Sequence, residues 1–138
     1  MDEEIRLRVI VRNPPPGVAF AMQSGRDALI AAATATKTKL TFEAAVKVRA
    51  AADGSLRLSG PVVQGSGTER FVYINSGKRA GQHDTLWDRR AKVYLTTVNA
   101  KQLRAAKGAA LETEIDGVAK DGGPCCATVP LLGGWRVV

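Results

Sequence analysis

Residues 60–95 read GPVVQGSGTERFVYINSGKRAGQHDTLWDRRAKVYL, and this stretch decides the fold class. Phe71-Val72-Tyr73-Ile74 is apolar at every position, the pattern of a strand covered on both faces. Glu69-Arg70 precedes it, and Asn75-Ser76-Gly77 follows with the residue types of a turn. A second strand is predicted over 91–98, after a polar, glycine-bearing connection that ends in Trp87-Asp88-Arg89-Arg90. From Arg90 onward, Arg90, Lys92, Tyr94 and Thr96 share one face, and Ala91, Val93 and Leu95 share the other. Between the two strands lie the only histidine, one of the tryptophans and a dense group of cations. That is the pattern of a site carried on a scaffold.

Outward from this stretch the strand signal continues. Residues 5–12 alternate, with Ile5, Leu7, Val9 and Val11 on one face and Arg6, Arg8 and Arg12 on the other. Asn13-Pro14-Pro15-Pro16-Gly17 ends that strand, because prolines offer no ladder donor and fix φ. A short strand is expected over 18–23. Residues 26–38 read as a short helix or an irregular crossing: Ser24 with Asp27 can cap a helix and the alanines favour one, while the threonines oppose it. Residues 40–50 place Val46 and Val48 inward and Lys47 and Arg49 outward, and Asp53-Gly54 marks a hairpin into a strand at 56–58. Gly60-Pro61 bends the chain into the central stretch.

Beyond that stretch, 99–107 is the strongest helix signal, with Asn99 to cap it and Gly108 to close it. Leu111, Thr113 and Ile115 alternate with Glu112, Glu114 and Asp116. Asp121-Gly122-Gly123-Pro124 turns the chain, and strands are expected over 125–132 and 135–138. Short strands at this spacing predict a mainly β fold, an antiparallel barrel or two-sheet sandwich with one or two short helices. Residues 1–138 read as a single globular domain, long enough to bury a core without metals or disulfides.

The 138 residues carry a net charge of +7, with 45% hydrophobic and 24% charged residues. A basic balance admits a polyanionic partner. The cations never run longer than two in a row, however, which fits a solvated basic surface better than a binding stripe. No apolar run reaches membrane-spanning length. The acidic start, Met-Asp-Glu-Glu, is unlike a signal peptide, and the only cysteines are the neighbours Cys125 and Cys126. The expected location is cytoplasmic.

The segments PPPGVAFAMQSG, GPVVQGSGTERFVYINSG, QHDTLWDRRAKVYL and AKDGGPCCATVPLLGGWRVV follow one another in that order along the chain. Together they resemble a family of small bacterial proteins that carries only a domain of unknown function. The resemblance implies a single bacterial domain and supplies no catalytic residue, cofactor or partner.

His83-Asp84 is the one place for histidine chemistry, but no G-x-S-x-G elbow accompanies it, and zinc needs three or four ligands. Adjacent Cys125 and Cys126 lack the C-x-x-C redox spacing and read as reduced, semi-buried small hydrophobes. The glycines of 60–67 lack the Gly-Lys-Ser/Thr ending and following helix of a phosphate loop. No metal or cofactor is predicted.

The remaining candidate is a small-anion site formed by Gln64, Glu69, Arg70, Tyr73, Trp87, Arg89, Arg90 and Lys92. Guanidinium and ammonium groups beside aromatic rings suit a carboxylate or phosphate. The alternative is that Glu69 and the cations simply form ion pairs that orient a loop. The sequence therefore predicts a non-enzymatic binding module. The second reading is a weak nucleic-acid binder using Arg6, Arg8, Arg12, Lys47, Arg49 and Arg57, and an enzyme of unnamed reaction comes third.

Overall fold

The computed structural model describes residues 3–14, 19–24, 27–32, 39–50, 56–66, 69–77, 89–95, 98, 100–105, 110–117, 127–128 and 131–138. Within them the chain is mainly β. The strands are β1 (Glu3–Arg12), β2 (Ala19–Ser24), β3 (Asp27–Ala32), β4 (Lys39–Ala50), β5 (Leu56–Ser59) and β6 (Gln64–Ser66). They continue with β7 (Glu69–Gly77), β8 (Arg89–Tyr94), β9 (Ala110–Asp116), β10 (Ala127–Thr128) and β11 (Arg136–Val137); one short helix, α1 (Ala100–Ala105), lies between β8 and β9.

The strands form two sheets. The first has the order β11-β9-β1-β4-β5; the second has β10-β8-β7-β2-β3, with β6 also paired to β7. One of the sheets curls into a half-barrel. Most ladders are antiparallel, as expected, but β1–β9 and β8–β10 are parallel.

Alternation in β1 sets the core. Ile5, Leu7, Val9 and Val11 stand beside Val46, Ala44, Phe42 and Leu40 of β4. On the other side Leu7, Val9 and Val11 meet Leu111, Thr113 and Ile115 of β9. The second sheet contributes Phe20, Met22, Val72, Ile74 and Val93 to the same apolar cluster. Each such side chain contributes about 1.5–3 kcal/mol when fully buried. Thr113 is the polar member of the inward row; its hydroxyl donates to the Gly134 carbonyl at 2.8 Å.

Trp135 ties the sheets together. Its buried indole Nε1 donates to the carbonyl of Tyr94 on β8 at 3.0 Å, while Gln102 of α1 donates to the Trp135 carbonyl at 2.7 Å. Gly133 and Gly134 precede it with φ of 88° and 71°. Side chains rarely adopt that left-handed backbone, so two glycines make the reversal into β11 possible.

The strands expected at 5–12, 18–23, 40–50, 56–58 and 111–115 are present, and α1 falls inside the expected 99–107. Where a short helix or an irregular crossing is expected over 26–38, Asp27–Ala32 form strand β3 instead and pair with β2 from Ser24↔Asp27 to Ala19↔Ala32; Arg26 and residues 33–38 lie outside the described residues. Alanine's helix preference amounts to a fraction of a kcal/mol per residue, and a hairpin ladder with β2 outweighs it. Asn75-Ser76-Gly77, read as a turn, is the continuation of β7. β8 begins at Arg89 and ends at Tyr94, displaced from the expected 91–98. Within 125–132 the described strand is only Ala127–Thr128.

Candidate functional site

The face of the second sheet that points away from the core is built by β7 and β8. Their register pairs Phe71 with Tyr94, Tyr73 with Lys92, and Asn75 with Arg90. Paired residues in an antiparallel ladder project to the same side, so these six side chains form three adjacent rows. Gln64 of β6 extends the first row through its pairing with Phe71, and Ala21 of β2 extends the third through Asn75. The intervening residues Val72, Ile74 and Val93 face the core, which is why both sides of β7 are apolar.

Aromatic rings make the floor of this face. Phe71 stands edge-on to Tyr73 at 4.9 Å between centroids and to Tyr94 at 5.6 Å. The Lys92 ammonium lies over the Phe71 ring at 4.7 Å, and the Arg90 guanidinium over the Tyr73 ring at 4.8 Å. Such contacts contribute about 0.5–1 kcal/mol each at exposed sites and more when desolvated. Arg90 is held further by its Nε, which donates to Asn75 Oδ1 at 3.2 Å. Asn75 is fully buried, and a buried amide is retained only where it is hydrogen-bonded. Among the described residues, neither Arg90 nor Lys92 meets a carboxylate.

The outward face of the first sheet carries a different electrostatic arrangement. Glu43 of β4 lies between Arg6 and Arg8, with Arg8 Nε at 2.9 Å. Arg8 also approaches Glu112 at 3.7 Å, Arg12 approaches Glu114 at 3.5 Å, and Arg136 reaches Glu114 at 3.1 Å and Glu112 at 3.6 Å. The hydrogen bonds from Arg6 and then Arg8 hold the Glu43 carboxyl below its ordinary value of 4.5. A shallow groove of about 400 Å³ beside Arg6, Arg8, Glu43 and Val138 carries both signs of charge. Of the other outward cations, Lys47 is exposed, and Arg49 stands opposite Arg57 in the β4–β5 ladder.

Of the predicted site residues, the structure brings together Gln64, Tyr73, Arg90 and Lys92. It separates Arg70, which alternates onto the side of Val72 and Ile74; its Nε is buried without a hydrogen-bond partner. Glu69 pairs with Ser66 at the far end of β7. That row is next to the Gln64–Phe71 row, two residues or about 7 Å along β7, and lies four residues, about 13 Å, from the Tyr73–Lys92 row. Arg89 pairs with Ser76, the position alternate to Arg90. Trp87 lies outside the described residues, as do His83, Cys125 and Cys126. Three members of the face are not among the predicted site residues: Phe71, beneath Lys92; Tyr94, edge-on to Phe71; and Asn75, which orients Arg90. The alternation Phe71-Tyr73-Asn75 is the available signal for the first and last, and the turn-like composition of Asn75-Ser76-Gly77 obscures it; Tyr94 shares the face of Arg90 and Lys92 by the same alternation.

Among the described residues there is no group of three or more histidine, cysteine, aspartate or glutamate side chains placed to hold a metal ion, and no helix is long and apolar enough to cross a membrane. No curated protein and no solved structure matches the chain. The chain belongs to a family of unknown function, DUF5990, whose model matches residues 5–138.

Proposed function

We propose that this chain is a non-enzymatic binding module whose outward β7–β8 face holds a small anion. The observation that carries the reading is the contrast between the two sheets. Arg6, Arg8, Arg12 and Arg136 of the first sheet each meet a carboxylate. Arg90 and Lys92 of the second rest on rings and an amide instead. Two like charges on one half-buried face repel each other. An anion from solution relieves that repulsion and adds charge-assisted hydrogen bonds. Among the described residues the face offers cations and neutral donors without a paired acid and base, which favours binding over catalysis. We place the protein in a bacterial cytoplasm, on its sequence resemblance and on cysteines that are adjacent and cannot cross-link distant segments.

The experiment is thermal melting in phosphate, sulfate and small carboxylates at constant ionic strength. A ligand at a hundred times its Kd stabilises the fold by about 2.7 kcal/mol, so the wild-type Tm is expected to rise by several degrees. The rise should vanish in Arg90→Ala and Lys92→Ala. Equal responses in wild type and variants would reduce these residues to structural contacts of the sheet.

A further inference from the structure

We infer that the group recognised on the β7–β8 face is a dianionic phosphate, of the kind carried by a phosphate monoester. This rests on the anion-binding reading of that face and goes one step further, to the charge and shape of the ligand.

The inference comes from what each side chain has left to offer. Arg90 donates through Nε to Asn75 Oδ1, which orients its planar group. Its remaining Nη edge is a two-donor fork suited to two oxygens of one oxyanion. Lys92 follows two residues later on the same strand face, about 7 Å along the strand. Held over the Phe71 ring, it adds a compact second charge with three donors, one of them for a third oxygen. Tyr73 and Tyr94 stand next to these cations in the same rows, and phenol hydroxyls donate hydrogen bonds. Among the described residues neither hydroxyl has a hydrogen-bond partner. Gln64, beside Phe71, completes a rim of neutral polar groups.

Two fixed positive charges and several donors match a tetrahedral group with two negative charges and at least three free oxygens. A carboxylate has one charge and two oxygens. A phosphate diester has one charge and two unesterified oxygens. Either leaves a cation uncompensated on a face where Phe71 and Asn75 are already buried. Half-buried Tyr73 and Tyr94 also give an organic substituent an apolar surface to lie against.

The test is calorimetric titration with phenyl phosphate, inorganic phosphate, sulfate, dimethyl phosphate and benzoate, at constant ionic strength between pH 5 and 7. The second ionisation of a phosphate monoester lies near 6, so the dianion fraction rises about tenfold over this interval. Affinity for phenyl phosphate should rise by about the same factor. Sulfate keeps its charge throughout and so controls for titration of the protein, including Tyr73, Tyr94, Arg90 and Lys92 of the face and Glu69 in the row beyond Phe71; its affinity should stay flat. At pH 7 dimethyl phosphate and benzoate should bind at least about tenfold more weakly than phenyl phosphate. Lys92→Gln should lose about tenfold in affinity for the dianions, as expected for one charge-assisted contact, and should flatten the pH dependence. Arg90→Gln serves as a second variant, each checked for folding by its melting transition. Inorganic phosphate binding as well as phenyl phosphate would identify the free ion as the ligand; tighter phenyl phosphate would identify an ester. Both support the dianion inference. Benzoate or dimethyl phosphate binding as tightly as phenyl phosphate, or a pH-independent phosphate affinity, would overturn it and leave the anion face standing. No binding by any of the five would overturn both.

Discussion

A methyl group added at Gly117 would meet the Arg12 carbonyl oxygen and Val11 Cγ1 at 2.9 Å and Pro14 Cα at 3.0 Å. Gly117 N–H donates to that same carbonyl at 2.6 Å, so the two segments are held together just where the extra atom would sit. Two of the three contacts are backbone atoms, which cannot swing aside. Gly117→Ala is expected to destabilise the protein by about 1–3 kcal/mol, the usual cost of overpacking. Urea denaturation should show a lower midpoint at an unchanged slope; an unchanged midpoint would mean that the loop yields freely. Trp135 acts through one polar atom as well as through its bulk. Trp135→Phe keeps most of the ring but leaves the Tyr94 carbonyl without its indole donor. A loss of about 1 kcal/mol beyond the packing change is expected from a buried hydrogen bond of this kind, measured in the same denaturation series. Neither contact was legible in the sequence. Gly117 follows an ordinary strand end, and the partner of Trp135 is 41 residues distant.

At the scale of single elements, alternation was enough to orient β1, β4 and β9, because a period of two assigns every side chain to a face. It did not assign the partners of the outward charges. Arg8 lies 35 residues from Glu43, and Arg136 lies 22 from Glu114. Only the ladder registers reveal that Arg6, Arg8, Arg12 and Arg136 of the first sheet meet carboxylates of the same sheet. β3 failed to read as a strand because its alanines are compatible with either state and the deciding partner is β2. Asn75 does not read as strand because its composition suits a turn; the Arg90 contact is one of the interactions that satisfy this buried amide in mid-strand. The Glu43 cluster carries a pH prediction. Its carboxyl titrates lower in the folded protein than the ordinary 4.5, so the ionised form adds stability above that value. That contribution is lost as pH falls through the lower, folded-state value. Wild type should therefore lose stability more steeply below pH 4.5 than Glu43→Gln, and the two curves should converge in acid. At neutral pH the substitution should cost up to about 1 kcal/mol per lost pair. Parallel curves across the acid limb would remove Glu43 from the account.

For the molecule as a whole, the net charge of +7 says less than its distribution. Of the six cations considered for nucleic acid, Arg6, Arg8 and Arg12 meet Glu43, Glu112 and Glu114, while Lys47 is exposed and Arg49 stands opposite Arg57. At the first three a phosphate backbone would have to compete with carboxylates already in place. Binding to DNA or RNA is expected to be weak and non-specific and to fall steeply with salt, because each phosphate contact releases counterions. Fluorescence anisotropy with short single- and double-stranded oligonucleotides checks this; sub-micromolar, sequence-selective binding at physiological salt would reverse the ranking of the two readings. The two sheets thus present one face with Arg6, Arg8, Arg12 and Arg136 in ion pairs and another where Arg90 and Lys92 lie over aromatic rings. The most direct measurement of that division is a phosphate titration followed by amide shifts of the isotope-labelled protein at pH 7. Saturable shifts centred on residues 71–75 and 90–94 are expected, absent in Lys92→Gln, with residues 6–12 and Glu43 unmoved. Shifts centred on β1, β4 and β9, or no saturable shift anywhere, would contradict it.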